Sequence, residues 1–219
     1  MDGSRKCWRV NGITYYWRNG QLICRTSKNE KRAPRKDENG KELPLRSPAQ
    51  EKSSSVFSEA QAMTKAYFLA HGHLLIWVVA PKTKPGQSSW ALHRHLNKAA
   101  YVPDEGVRYF NSYRFSHGIL ELPDNFTVRR DGWHVTLEWE DDRDQPAAAA
   151  GDLLFVGYFH GGYPRSPLLV PATGATRGEQ RAEFDIPPLD QPDGGVLHLY
   201  PFFGRADKSA YAGSYYMRC

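Results

Sequence analysis

Cys7-Trp8-Arg9-Val10-Asn11-Gly12-Ile13-Thr14-Tyr15-Tyr16-Trp17-Arg18-Asn19-Gly20-Gln21-Leu22-Ile23-Cys24-Arg25-Thr26 places two Asn-Gly pairs between three runs of alternating, β-branched and aromatic residues. Asn-Gly between such runs is the strongest short hairpin signal, because both central positions of a type I′ turn require positive φ. Two such turns in succession predict a three-stranded antiparallel meander. Ile13, Tyr15 and Trp17 are expected on one face, with Thr14, Tyr16 and Arg18 on the other. A lone three-stranded meander is only marginally stable, so one of its faces is expected to pack on something else.

Beyond the meander, Lys28 to Arg46 is charged and punctuated by Pro34, Asn39-Gly40 and Pro44, which predicts a mobile loop with Asn39-Gly40 at its tip. The period then changes. Ser47-Pro48-Ala49-Gln50 combines an N-cap hydroxyl, a proline at the first helical position and a glutamine at the third, the pattern of a capping box. Val56, Ala60, Met63, Tyr67, Ala70 and Leu74 follow at helical spacing and predict an apolar stripe. Gly72 is a point of bending or breakage, and Pro81 ends the helix. Ser88 or Ser89 caps a shorter helix reaching about Ala100, with Trp90, Leu92 and Leu96 apolar. After Pro103 strands are expected at Tyr113–Ser116, Ile119–Leu122, Phe126–Arg130, Trp133–Trp139, Leu153–His160, Arg181–Ile186, Val196–Phe203 and Tyr211–Met217. Short strands at such intervals point to an antiparallel sandwich.

The chain has 219 residues and a formal charge of +5, so strongly one-signed electrostatics are ruled out. With 40% hydrophobic and 13% aromatic residues it is not a chain too polar to collapse. The charge is unevenly placed: residues 1–52 hold 13 Lys/Arg against 6 Asp/Glu, and residues 103–219 hold 11 against 17. A basic part joined to an acidic one suits an anionic partner or head-to-tail contact between copies, and it equally suits a basic segment that merely solvates a loop. Three cysteines, Cys7, Cys24 and Cys219, indicate no disulfide framework and favour a reducing compartment. The longest apolar run, Leu74 to Ala80, falls far short of the ~20 residues of a membrane span. Residues 1–10 lack a signal core, so a cytoplasmic protein without a membrane partner is expected.

Three marks in order, Tyr15-Tyr16-Trp17-Arg18-Asn19-Gly20, Ser47-Pro48-Ala49-Gln50 and a β-rich half opening with Ser116-His117-Gly118-Ile119-Leu120, resemble an uncharacterised gut-bacterial domain-of-unknown-function family. In that family a Tyr-Tyr-x-x-Asn-Gly hairpin precedes Thr-Pro-x-Gln and an amphipathic helix. Leu96-Asn97-Lys98 is similar to the family's Asn-rich helix. The stretch from Arg32 to Arg46 is longer than the family pattern, and Ser47 stands where Thr is usual, a change that keeps the cap. The resemblance implies no catalytic residue. Trp139 and the stretch from Ser209 to Tyr216 look similar to fibronectin type III modules, a likeness of fold that implies no chemistry.

Catalytic constellations are weak. His71-Gly72-His73 and His93-Arg94-His95 offer one histidine each to a shared metal site if their helices pack antiparallel, although i, i+2 is not ligand spacing on a helix. Surface or interface histidines are the simpler reading. Glu138, Glu140, Asp141, Asp142 and Asp144 read as a solvated loop and do not match a calcium loop. His160-Gly161-Gly162 lacks a Gly-x-Ser-x-Gly elbow, and no phosphate-binding glycine loop is present. Catalytic residues, cofactor and metal are therefore all assigned as none.

The basic meander is the strongest remaining candidate. Arg9, Arg18, Arg25, Lys28, Lys31, Arg32, Arg35 and Lys36 lie among Trp8, Tyr15, Tyr16 and Trp17. Such a mixture serves as plain core, as a protein interface rich in Arg, Tyr and Trp, or as a surface for phosphates and stacked bases. The binding surface is assigned to Trp8, Arg9, Tyr15, Tyr16, Trp17, Arg18, Arg25, Lys28, Arg32 and Arg35. The expectation is an α+β chain: a meander with two helices over residues 1–102, then an acidic immunoglobulin- or fibronectin-like β-sandwich over 103–219. Functionally it is a non-enzymatic binding or assembly module, such as a structural component of a phage or mobile element, with a protein partner or self-association. Nucleic-acid binding through the hairpins is the alternative, and a histidine-metal hydrolase the third.

Overall fold

A computed structural model describes residues 7–10, 13–18, 20–26, 36–42, 44, 46–141, 148–187 and 195–219. The expected meander is present: β1 (Cys7–Val10), β2 (Ile13–Arg18) and β3 (Gln21–Thr26) pair antiparallel in the order β1-β2-β3. Gly20 has φ +74°, as the second Asn-Gly turn requires. Within the stretch expected to be a loop, residues 36–42 form a tight turn. Lys36 bridges Glu42, Gly40 has φ +77°, and the Asp37 carboxylate accepts from the Asn39 and Lys41 amides at 2.9 Å each.

The capping box closes in both directions: Gln50 N donates to Ser47 Oγ at 3.3 Å, and Ser47 N donates to Gln50 Oε1 at 2.9 Å. It starts α1 (Pro48–His71), which yields at Gly72 to a 3-10 turn, Gly72–Leu74. Leu75 sits in the left-handed region, and a one-turn helix α2 (Ile76–Val79) follows. Helix α3 (Ser89–Asn97) is capped by Ser88 Oγ, which accepts from Ala91 N.

The chain divides into two compact units, Met1–Glu51 and Lys52–Cys219, well before the boundary expected at residue 102. The helices therefore pack with the C-terminal sheets. The second unit carries 17 Lys/Arg against 18 Asp/Glu, because the helical cations offset the acidic strands.

In the second unit β4 (Tyr101–Val102) and β5 (Gly106–Val107) form a small ribbon. One antiparallel sheet then combines β6 (Asp124–Asp131), β7 (His134–Glu140) and β10 (Arg181–Asp185) in the order β10-β7-β6. A second combines β8 (Leu153–His160), β9 (Leu168–Leu169), β11 (Leu197–Gly204) and β12 (Met217–Arg218) in the order β12-β11-β8-β9. The chain is thus mixed helix and antiparallel sheet.

Two apolar cores use the two faces of the second sheet. Leu154, Val156, Tyr158, Leu197, Leu199 and Phe203 join Phe126, Val135, Leu137, Trp139 and Phe184 of the first sheet. The alternate residues Phe155, Phe159, Tyr200 and Phe202 join Ala60, Met63, Tyr67, Trp77 and Leu92 of the helices. This double coverage makes every residue of β11 buried. Each such large apolar side chain contributes about 1.5–3 kcal/mol on leaving water.

Three expectations are corrected. Tyr113–Ser116 and Ile119–Leu122 are not strands, and of the expected strand Tyr211–Met217 only Met217 lies in one, β12. The segment around Phe115 has its peptide groups satisfied by side chains: Asn97 bonds both Arg114 N and O, Tyr67 Oη donates to Phe115 O, and Ser214 Oγ accepts from Phe115 N and Ser116 N. The buried side of α1 is also turned. Ala60, Met63 and Tyr67 are buried as expected, but Glu59, Thr64 and His71 join them while Ala70 is exposed. These polar groups have distant partners: Glu59 takes Arg165 at 2.8 Å, Thr64 Oγ1 lies 2.9 Å from His93 Nδ1, and His71 Nε2 lies 2.9 Å from Pro167 O.

A two-faced basic ribbon as candidate contact surface

The Arg18↔Gln21 pair closes a two-residue turn, and from it the register runs Trp17↔Leu22, Tyr16↔Ile23, Tyr15↔Cys24, Thr14↔Arg25 and Ile13↔Thr26. On the other side of β2 the pairs are Cys7↔Tyr16, Trp8↔Tyr15, Arg9↔Thr14 and Val10↔Ile13. Directly opposed residues share a face, so the ribbon sorts its residues. Positions 8, 10, 13, 15, 17, 22, 24 and 26 make one side, almost wholly apolar or aromatic. Positions 7, 9, 14, 16, 18, 21, 23 and 25 make the other, and Arg25 is its charged residue with a described side chain.

The assigned surface is therefore two surfaces. Tyr15 and Trp17 belong to the apolar side with position 8; Tyr16 and Arg25 belong to the cationic side with positions 9 and 18. Trp17 is 53% exposed and its cross-strand neighbour Leu22 is 49% exposed. Arg25 is exposed, whereas Tyr15 and Tyr16 are half-buried. The side chains of Trp8, Arg9 and Arg18, and the whole of Lys28, Lys31, Arg32 and Arg35, lie outside the described residues. Leu22 and Val10, both exposed, were not singled out from sequence because their membership follows from cross-strand register. Cys7 and Cys24 are exposed on the two outer strands and fall on opposite faces, so they do not meet each other within one ribbon.

The histidines pointed out for a metal are part of the helical core. The rings of His71 and His93 both pack on Tyr67, with centroids 5.3 and 4.7 Å away. Burial lowers the pKa of each, that of His93 to about 3, so His93 is neutral at ordinary pH. His73 and His95 are exposed. Among the described residues no group of three or more His, Cys, Asp or Glu is placed to hold a metal ion.

The acidic run is not one solvated loop. Asp141 is buried against Arg177, with Nε 2.6 Å from Oδ1 and side-chain exposures of 0% for Arg177 and 7% for Asp141. Glu138 pairs with Arg181 and Glu140 accepts from Asn125. Asp142 and Asp144 lie outside the described residues. A groove of about 290 Å³ on the outer face of the β10-β7-β6 sheet is lined by Thr127, Arg129, Thr136, Glu138 and Arg181, with Val128 beneath. Its Arg181 is held by Glu138 and Glu183, which leaves a ladder of ion pairs rather than a convergent acid–base pair.

Compared with known proteins, the chain matches no family model and no curated sequence. No helix among the described residues is long and apolar enough to cross a membrane.

Proposed function

We propose that the protein is a non-enzymatic binding or assembly module whose contact surface is the basic ribbon, carried on an immunoglobulin- or fibronectin-like sandwich as scaffold. A structural component of a phage or mobile element is the kind of protein this describes. The observation that carries the reading is the Trp17–Leu22 pair, half exposed on a ribbon side made of apolar and aromatic positions. Exposed apolar groups of this kind mark contact sites, and Trp and Arg are the residue types that dominate interface energetics. The partner is another protein or a second copy.

Nucleic-acid binding is the second reading: backbone register gives positions 9, 18 and 25, all arginine in sequence, the same side as one another, and a row of cations can follow a phosphate backbone. A light-scattering concentration series on the full chain at low and high salt, with retention of DNA and RNA measured alongside, tests both. Mass that rises with concentration supports assembly, and retention with a steep salt slope supports nucleic acid. A monomer that retains neither polymer overturns self-assembly and nucleic-acid binding.

A further inference from the structure

Among the described residues, the edges of the two larger sheets of the second unit are protected, whereas β3, the longer outer strand of the ribbon, is not. β9 and β12 are two residues long, and β6 carries a register shift between Asp124 and Thr127 beside Asn125 at φ +52°. The outer edge of β10 presents Arg181, Glu183 and Asp185, since Ile186 N bonds Trp133 O and Trp139 N bonds Gln180 O, which turns the even residues inward. Short strands, bulges and charges are the devices that keep edges from pairing. β3 has none of them: it is six residues long, has no proline and no bulge, and carries one charge, Arg25, beside Leu22, Ile23 and Cys24.

The two-residue turn determines which of its peptide groups face outward. The pair closing such a turn, Arg18↔Gln21, exchanges hydrogen bonds, and alternate pairs do so after it. Gln21, Ile23 and Arg25 thus bond inward to β2, and the N–H and C=O groups of Leu22, Cys24 and Thr26 point away from the sheet.

Resting on the reading of the ribbon as a contact surface, we infer that the β3 edge pairs antiparallel with the β3 edge of a second copy, joining two ribbons into one six-stranded sheet. A dyad normal to the sheet opposes Cys24 to Cys24 of the second copy and Leu22 to its Thr26, so every outward group meets an outward group, with ~six hydrogen bonds made. The same dyad keeps faces matched: apolar side continues apolar side, and cationic side continues cationic side. Arg25 lies opposite Ile23 of the second copy rather than opposite another arginine, with the two Arg25 residues on the diagonal at ~7–8 Å. This like-charge approach gives the pairing a signature: salt strengthens it, whereas contact between a basic and an acidic surface is weakened by salt.

The test is sedimentation of the full chain in reducing buffer from 50 mM to 1 M salt, concentrations chosen for the assay. A dimer whose share grows with salt is expected. Cys24→Pro, which removes an outward donor while sparing the inner ladder, is expected to be monomeric, as is Leu22→Lys, which charges the edge. With glutathione disulfide, two opposed Cys24 thiols are oxidised to one protein disulfide as the reagent is reduced to two glutathione thiols. Their Cα separation, ~5.5 Å in a hydrogen-bonded pair, lies within disulfide range. The covalent dimer is expected to survive Cys7→Ser and to vanish in Cys24→Ser. A chain that stays monomeric at every salt, or whose oligomers dissolve in salt and ignore Cys24→Pro and Leu22→Lys, overturns the pairing. In either case contact of the ribbon with a different protein survives, so failure of the pairing is distinguishable from failure of the contact role.

Discussion

Replacing Asp141 by alanine removes a buried carboxylate from a buried guanidinium, and its cost follows from the surroundings. Arg177 is fully buried; its Nε donates to Asp141 Oδ1 at 2.6 Å, its Nη1 donates to Glu121 O at 2.5 Å, and its guanidinium carbon lies 5.6 Å from the Phe203 ring centroid. Trp139 Nε1 donates to Arg177 O at 2.8 Å, so the same residue ties the β7 end into place. Losing the carboxylate breaks a buried ion pair from one side, which costs about 3–5 kcal/mol. In a unit of this size 1 kcal/mol shifts Tm by about 2–4 °C, so a fall of about 10 °C is expected by calorimetry. Two comparisons sharpen the reading. Arg181→Ala, which breaks exposed pairs with Glu138 and Glu183, is expected to leave Tm nearly unchanged. The double variant Asp141→Leu with Arg177→Met removes both charges and is expected to recover most of the loss. If Asp141→Ala melts where Arg181→Ala does, the ion pair is not buried in solution and the reasoning fails.

Acid is expected to destabilise the protein from about pH 6.5 downward. Burial holds the folded-state pKa of His93 at about 3, below its ordinary 6.5, so between those values the unfolded chain binds a proton that the folded chain refuses, and stability falls as pH falls. Thermal melts from pH 7.5 to 4 check the slope, which His93→Gln is expected to reduce; a Tm that rises on acidification would contradict it. Gly118→Ala should abolish or cripple folding, because a Cβ there would fall 1.8 Å from Tyr211 O, whereas Gly213→Ala meets nothing within 4 Å and should melt as wild type. Ser47→Ala opens the capping box and is expected to cost about 1 kcal/mol, read as a lower urea midpoint and less helical signal.

Local chemistry was legible because its causes are local. The positive φ of Gly20 and Gly40, the Ser47–Gln50 box and the Ser88 cap each depend on residues within a few positions of one another, and each is found where the sequence places it, while Asn11-Gly12 lies outside the described residues. What stayed hidden depends on partners far along the chain. Thr64, His71 and Glu59 are buried on α1 against hydropathy because His93, the Pro167 carbonyl and Arg165 reach them. Asp141 reads as one more acid in an exposed run until Arg177 is seen beside it. Tyr113–Ser116 has strand composition, yet Asn97, Tyr67 and Ser214 satisfy its backbone in place of a neighbouring strand. The candidate surface shows the same divide. Trp17 and Arg25 could be picked out by type, but their separation onto opposite sides, and the addition of Leu22 and Val10, needed the cross-strand register.

Radical or carbene footprinting of the full chain across its association range tests the contact role most directly, because exposed apolar groups elsewhere act as internal references. Trp17 and Leu22, 53% and 49% exposed, are predicted to lose labelling as mass increases, while Leu69 and Ile119, 76% and 65% exposed, keep theirs. Protection of Leu69 or Ile119 with Trp17 and Leu22 still fully labelled would move the contact off the ribbon and contradict the account.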